Sequence, residues 1–192
     1  MGGRTGNQLR IIGGEWRSRR LRFADAPGLR PTPDRVRETL FNWLVSDLPG
    51  ARCLDLFAGS GALGFEAASR GAGEVVMVER AAGVVRRLRE NLALLGAGER
   101  LQVVQADALR FLAGPPRPFD IVFLDPPYGK GLLEPALKAL EGGWLAPGAV
   151  LYIEAESSLP EATLAGWLPQ GYAITRRGTA GTVGYFLVRR EV

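Results

Sequence analysis

Short apolar runs alternate with stretches of helical periodicity from residue 51 to residue 167. The apolar runs predict five strands, at 51–57, 74–79, 101–105, 119–125 and 149–154. Apolar residues spaced three and four apart predict the helices that follow them, at 62–70, 81–95, 107–113, 132–141 and 160–167. Strands that alternate with helices are typical of a parallel sheet covered on both faces.

The end of the chain breaks this alternation. Two strands, 172–176 and 183–189, are joined by residues 178–182 with no helix between them, and this pattern predicts a β-hairpin. We therefore predict an α/β, Rossmann-like fold. Its seven-stranded sheet should be mostly parallel and should finish in an antiparallel hairpin.

The first 37 residues differ in pattern and in charge. A strand at 9–12, a glycine turn at 13–14 and alternating basic and bulky residues at 16–23 predict a small β-ribbon. Nine arginines and three acids give residues 1–37 a net charge of +6, so residues 38–192 carry −2 of the total of +4. This asymmetry indicates a polyanionic partner, although a charged, solvent-exposed edge strand would look the same. We predict a basic arm at 1–37 and a main domain at 38–192.

The predicted contacts of this arm are mostly arginines. The aromatic residues Trp16 and Phe23 are expected either to stack on the partner or to anchor the arm. The full set of predicted contact residues is Arg10, Trp16, Arg17, Arg19, Arg20, Arg22 and Arg35.

A helix should join the arm to the main domain. Thr32 is expected to cap it, with Pro33 at its first position and Asp34 in its first turn. Arg35 and Arg37 should lie away from its buried face, as solvent-exposed charges or as the end of the basic surface. The residues at helical spacing that predict this buried face are Val36, Leu40, Trp43 and Leu44.

Composition excludes several kinds of chemistry. The chain has no histidine, which removes Ser-His and Cys-His devices and argues against a zinc site, so no metal is expected. Cys53 is the single cysteine and lies in a predicted strand; we expect core packing, no disulfide and a cytoplasmic location. No apolar run approaches the ~18 residues of a membrane span, so no membrane partner is expected.

A glycine-rich turn follows the first strand of the main domain. Gly59 and Gly61 allow a ligand to approach the backbone closely, and the helix that starts there offers free N–H groups. Asp55 ends the strand, and Glu79 lies twenty residues beyond Gly59. This pattern fits a dinucleotide, as in a nicotinamide-dependent oxidoreductase, or S-adenosylmethionine (SAM). A tight turn without a ligand would also produce it.

A second loop decides between these ligands. Asp125, Pro126, Pro127 and Tyr128 directly follow the strand at 119–125, and therefore lie at the same edge of the sheet as Gly59. A carboxylate, rigid carbonyls and an aromatic ring suit a planar base that carries an amine, because the ring stacks while the acceptors hold the NH₂. Transfer of a methyl group from a sulfonium to such an amine requires alignment and electrostatics, but neither histidine nor metal.

With these motifs the chain resembles the SAM-dependent amino-methyltransferases, which have a class I Rossmann-like fold. The resemblance implies that the loop from Asp55 to Gly61 lies along methionine and ribose, that Glu79 binds the ribose hydroxyls, and that Asp107 with Ala108 contacts adenine. It makes Asp125, Pro126, Pro127 and Tyr128 the catalytic loop. The cofactor-binding residues that it implies are Asp55, Phe57, Ala58, Gly59, Ser60, Gly61, Glu79, Arg80, Asp107 and Ala108.

The N-terminal stretches at 10–19 and 28–44 are more specific. They resemble the bacterial 16S rRNA guanine-N2 methyltransferases of the RsmD family. That resemblance implies methyl transfer from SAM to one guanine N2 of 16S rRNA, in a small-subunit assembly intermediate or a 30S subunit. We expect the protein to be a monomer. The catalytic loop alone also fits adenine-N6 in DNA or a protein glutamine. A non-catalytic RNA-binding module with this fold is a further alternative.

Overall fold

The computed structural model describes residues 7–191. Residues 1–6 of the predicted arm, and residue 192, lie outside the described part. The strands are β1 (Gln8–Arg10), β2 (Arg20–Arg22), β3 (Arg52–Asp55), β4 (Glu74–Glu79), β5 (Leu101–Gln105), β6 (Phe119–Leu124), β7 (Leu145–Glu156), β8 (Tyr172–Ala180) and β9 (Val183–Arg190). The helices are α1 (Asp34–Trp43), α2 (Ala62–Ser69), α3 (Ala82–Leu95), α4 (Ala108–Leu112), α5 (Leu133–Leu140) and α6 (Glu161–Trp167), with a 3₁₀ turn at Gly98–Arg100.

Seven strands form one sheet in the order β5-β4-β3-β6-β7-β9-β8. Strands β3 to β7 are parallel, and β9 runs antiparallel to both of its neighbours. The predicted mostly parallel sheet with a terminal hairpin is therefore confirmed. The hairpin is tighter than the sequence suggested: Ala180 pairs with Val183, so only two residues form the turn.

Two hydrophobic clusters cover the two faces of the sheet. One contains the ribbon β1–β2 with α1, α2 and α3, and the other contains α4, α5 and α6. Every residue of α2 is buried, because this helix is enclosed between the sheet and the ribbon. Cys53 is also fully buried, in the first cluster, as its position in a strand predicted.

The ribbon is shorter than predicted. β1 and β2 pair over three residues each, with Leu9 opposite Leu21, and both leucines are buried. The predicted extended run at 16–23 is wrong at its start, where residues 13–18 form turns. Trp16 lies there with 5% of its surface exposed and belongs to the core. The ring of Trp16 is therefore not available to stack on a partner. Of the two roles expected for it, Trp16 anchors the arm to the body.

Two predictions about α1 were also wrong. The helix starts at Asp34, and Pro33 precedes it without a side-chain cap; the Thr32 hydroxyl instead donates to Glu154, at 3.0 Å. Arg37 does not lie away from the buried face but is 1% exposed. It precedes the buried Phe41 by one helical turn, and its charge is balanced by the buried carboxylate of Glu66, 3.1 Å away.

Candidate active site

Four carboxylates meet at the carboxyl edge of the parallel strands. In the sheet register Asp55 on β3 lies between Met77 on β4 and Phe123 on β6. Side chains two residues apart in a strand share a face, so Glu79 and Asp125 follow one row beyond on the same face as Asp55. Leu124 pairs with Ile153, which places Asp125 beside Glu154 of β7. We call these four carboxylates, Asp55, Glu79, Asp125 and Glu154, the acidic wall. It lies on the face of the sheet that the arm covers.

The glycine turn after β3 is shaped by Asp55. This residue is 1% exposed, and its Oδ2 accepts a hydrogen bond from the amide of Gly64, in the first turn of α2, at 3.1 Å. Burial raises the pKa of the Asp55 carboxyl to about 7, with a further contribution from the neighbouring carboxylate of Glu79. In the structure Asp55 thus supports the loop from beneath, and a direct contact with a cofactor stays a prediction.

Gly61 is the position in this turn where glycine is required. Its φ is +82°, and a Cβ there would lie 2.8 Å from the Cδ2 of Leu88 as well as against the ring of Phe65. The backbone can therefore turn directly into α2 without a side chain that would collide with Phe65 or Leu88.

Glu79 ends β4 and holds this loop from the other side. Its Oε2 accepts from the amide of Gly59 at 3.1 Å, and its Oε1 accepts from the amide of Ala81 at 2.9 Å. The residue stays partly exposed, and each carboxylate oxygen has a further acceptor site. Glu79 is therefore both a loop anchor and a group able to accept from ribose hydroxyls.

The remaining predicted cofactor residues lie in segments that follow β3, β4 and β5 at the same edge of the sheet. Asp107 ends the segment after β5 and caps α4, because its Oδ1 accepts from the amides of Leu109 and Arg110 at 3.0 and 3.1 Å. Its Oδ2 makes no hydrogen bond among residues 7–191. Of the others, Ala58, Ser60 and Ala108 are buried, Phe57 is half-buried and Arg80 is exposed. Contacts of these residues with a cofactor stay predictions.

The loop after β6 carries the predicted catalytic residues. Pro126 is buried, whereas Pro127 and Tyr128 are exposed. Burial raises the pKa of Asp125 well above its usual range, and the carboxylates of Glu154 and Asp55 raise it further. Burial and the same acidic wall also raise the pKa of Tyr128, so its ring is neutral at physiological pH. With 39% of its surface exposed, the ring is available for stacking.

Two parts of this site were not predicted from the sequence. Glu154 is 4% exposed and accepts hydrogen bonds from Thr32 and from Tyr152, the latter at 2.8 Å. Leu29 lies over the glycine turn, where its Cδ1 would be 2.9 Å from a Cβ at position 59. The position of Glu154 at the end of an apolar strand was a usable signal, since the carboxyl ends of parallel strands share one edge.

The arm is fixed to the body through Glu66. This fully buried carboxylate accepts from the amides of Ile12 and Gly13, at 3.0 and 2.9 Å, and from Arg37 and Arg70, at 3.1 and 2.8 Å. A charged residue in the otherwise apolar helix α2 was a visible anomaly in the sequence. It is the partner that allows Arg37 to be buried.

The predicted contact arginines of the arm lie on its surface. Arg10 forms an exposed ion pair with Asp34 at 3.3 Å, and Arg19 donates to the carbonyl of Leu94 at 3.2 Å. The other predicted contact arginines are exposed and form no ion pair within residues 7–191; they are Arg17, Arg20, Arg22 and Arg35. Arg20 and Arg22 lie beside α3, whose Asn91 donates to the carbonyl of Arg22 at 2.8 Å.

The residues present fit SAM. The turn at Gly61 keeps side chains out of the start of α2, and Glu79 keeps acceptor capacity at the expected ribose position. The acidic wall suits a cationic sulfonium, which supplies an already activated methyl group when SAM is bound. No cluster of metal-ligating side chains occurs within the described residues, and none of their helices is long and apolar enough to cross a membrane.

Comparisons with known proteins agree with this geometry. The family model described as conserved hypothetical protein 95 matches residues 9–188. The ribosomal RNA small subunit methyltransferase D of Escherichia coli K12 is 49% identical over 187 residues, which are 96% of this chain and 91% of that protein. Its namesake in Haemophilus influenzae is 44% identical over 184 residues, 94% of this chain and 93% of that one. The solved structure of yhhF from Escherichia coli has a TM-score of 0.85 at 47% identity and covers 97% of this chain and 99% of its own.

Fold, crevice and relatives define an enzyme, a SAM-dependent methyltransferase of class I. The nicotinamide alternative, which rested on the glycine pattern and on the position of Glu79, is therefore wrong. Within this class the chain belongs to the RsmD family, as the motifs of its N-terminal arm predicted.

Proposed function

We propose that this enzyme transfers a methyl group from SAM to the exocyclic N2 amine of one guanine in 16S rRNA. Its substrate is the RNA within a small-subunit assembly intermediate or a 30S subunit, and it acts in the cytoplasm as a monomer. The names of the Escherichia coli and Haemophilus influenzae relatives support a small-subunit rRNA substrate. The choice of guanine N2 rests on the resemblance of the arm and of the catalytic loop to those of the RsmD family.

The observation that carries this proposal is the placement of the loop from Asp125 to Tyr128. A half-exposed neutral ring and a carboxyl group lie on one proline-stiffened loop, at the same edge as the glycine turn. A flipped base can stack on Tyr128 while Asp125 accepts a hydrogen bond from its amine. This geometry directs the lone pair of the amine toward the methyl group.

The arm supplies the grip on the flanking RNA in this proposal. Arg10 and Arg20 are direct partners in the register of the ribbon, and like charges placed opposite one another destabilise a sheet. Asp34 offsets the charge of Arg10 at 3.3 Å, so Arg20 is the member of this pair that is left to bind a phosphate. Arg22 lies on the same outer face, because the buried Leu21 separates it from Arg20. We therefore retain residues 1–37 as the RNA-contacting part and residues 38–192 as the methyltransferase domain.

Methylation of adenine N6 in DNA is the competing activity with the same chemistry. Enzymes of that kind usually carry a separate target-recognition domain. Within residues 7–191, the elements that precede the main sheet and its helices α2 to α6 are a ribbon of two three-residue strands and α1. This extension is small for sequence-specific reading of a DNA duplex.

The test is transfer of labelled methyl groups. The enzyme is incubated with labelled SAM and with unmodified small subunits, naked 16S rRNA or DNA, and the digested product is identified. We expect N2-methylguanosine from the ribosomal substrates. Asp125→Ala should bind SAM normally and lose on the order of 10²-fold or more in turnover. N6-methyladenine in the DNA sample would contradict the proposal, as would unlabelled RNA in every sample.

A further inference from the structure

Glu154 is a buried acid in direct contact with the predicted catalytic loop. It projects from β7 toward the arm, with 4% of its surface exposed, and the sheet register places it beside Asp125. Lys and Arg side chains form no ion pair with either acid within residues 7–191. The two carboxyl groups must therefore be stabilised by neutral hydrogen bonds or by sharing a proton.

The hydrogen bonds of Glu154 are unevenly distributed over its two oxygens. The hydroxyls of Thr32 and Tyr152 both donate to Oε1, at 3.0 and 2.8 Å. Neither hydroxyl donates to Oε2, and the carboxyl group of Asp125 is the neighbour of Glu154 on the adjacent strand. Two adjacent carboxyl groups without a basic partner repel each other when both are ionised, and a proton held between them removes that repulsion. Burial raises the pKa of both groups, in agreement with such a proton.

We propose that Glu154 is a positioning residue for methyl transfer: by a shared proton it fixes the orientation of the Asp125 carboxyl, and Thr32 ties the arm to this pair. The inference rests on the proposed function, since it deepens the role of Asp125. An acceptor that rotates freely cannot hold the amine with its lone pair aligned. With one oxygen bonded to Glu154, Asp125 presents the other to the amine in one geometry.

The interaction requires a hydrogen-bonding group at position 154 but no charge. Glutamine keeps both an acceptor for the two hydroxyls and an N–H donor for Asp125, whereas alanine keeps neither. Glu154→Gln and Glu154→Ala should therefore differ in turnover while their affinity for SAM stays the same. A residue that only supports the fold would change stability without this difference in kcat.

The experiment measures kcat on the ribosomal substrate, Kd for SAM and thermal stability for both variants. We expect Glu154→Gln to retain turnover within about fivefold and Glu154→Ala to lose on the order of 10²-fold, with Kd for SAM within about twofold in both. The matched control is Glu156, which lies two residues further along the same strand and is exposed. Glu156→Gln and Glu156→Ala should both behave as wild type.

Thr32 provides a second, milder test should Glu154→Ala fail to fold. Thr32→Val removes one hydroxyl donor and should lower kcat severalfold, and Thr32→Ser should restore it. The inference is overturned if Glu154→Ala turns over like wild type, if both Glu154 variants lose the same activity, or if Thr32→Val keeps full activity. Wild-type enzyme that methylates no RNA would instead refute the proposed function itself, so the two failures are distinguishable.

Discussion

The arm can be tested through the salt dependence of RNA binding. Arg17, Arg19, Arg20 and Arg22 are all exposed, and none of them forms an ion pair within residues 7–191. If each neutralises one phosphate, the slope of log affinity against log salt should include about −3 from the four, at roughly 0.7–0.9 per contact. Between about 50 and 200 mM salt, this contribution changes the affinity by about 60-fold. Replacing all four arginines with glutamine should remove it.

The measurement is a titration of labelled 16S rRNA at several salt concentrations. Arg20→Gln with Arg22→Gln should flatten the slope by about 1.4–1.8. The matched control replaces two exposed arginines outside the arm, Arg110 and Arg190. Arg110 lies on α4, on the opposite face of the sheet, and Arg190 lies at the end of β9. SAM affinity should be unchanged in each variant. A wild-type slope in the quadruple variant, or equal flattening in the control, would show that the arm does not bind phosphates.

Four further changes test other parts of the structure. Glu79→Ala should weaken SAM binding at least about tenfold in calorimetry, because two charge-assisted hydrogen bonds are lost; unchanged affinity would remove Glu79 from the site. Tyr128→Ala should cost about 1–3 kcal/mol of RNA binding, whereas Tyr128→Phe should bind normally. Glu66→Ala should destabilise the fold by about 3–5 kcal/mol in denaturant unfolding, since Arg37 keeps only the half-exposed Asp34 as an ion-pair partner and the amides of Ile12 and Gly13 lose their acceptor. The carboxyl of Asp55 has a pKa of about 7 in the folded protein against 3.8 for the free side chain, so the folded state binds its proton more tightly. The stability that this proton contributes is lost as pH rises through 7. Between pH 5 and pH 8 the free energy of unfolding should therefore fall more for the wild type than for Asp55→Asn.

The sheet and most helices could be predicted because their signals are local. Apolar runs mark the parallel strands, and the observed bounds of β4 and β5 equal the predicted ones. β7 is longer than predicted, at Leu145–Glu156, because its first four residues include Pro147 and Gly148, which indicate a turn in the sequence. The glycine turn and the loop at Asp125 could also be placed, since each directly follows a strand and the ends of parallel strands share one edge.

The contacts between the arm and the body could not be predicted in this way. In the sequence Trp16 stands among the alternating basic and bulky residues that are typical of a surface ribbon. In the structure it is buried against residues far along the chain. Arg37 looked exposed because its burial depends on Glu66, which lies on another helix. Glu154 was overlooked because its importance depends on the sheet register that brings it to Asp125. In each case the decisive partner is distant in sequence, and periodicity carries no information about it.

These distant contacts determine how the arm can serve the catalytic edge. The ribbon is fixed by the buried carboxylate of Glu66, and the segment that leaves it passes over the glycine turn at Leu29. The same segment reaches the acidic wall, where Thr32 bonds to Glu154. A polyanion held by the ribbon is therefore held at a fixed distance from both loops of the crevice. A flexible basic tail could supply the same charge, but it would not restrict the position of the bound base, and alignment is the main contribution that a site without histidine can make.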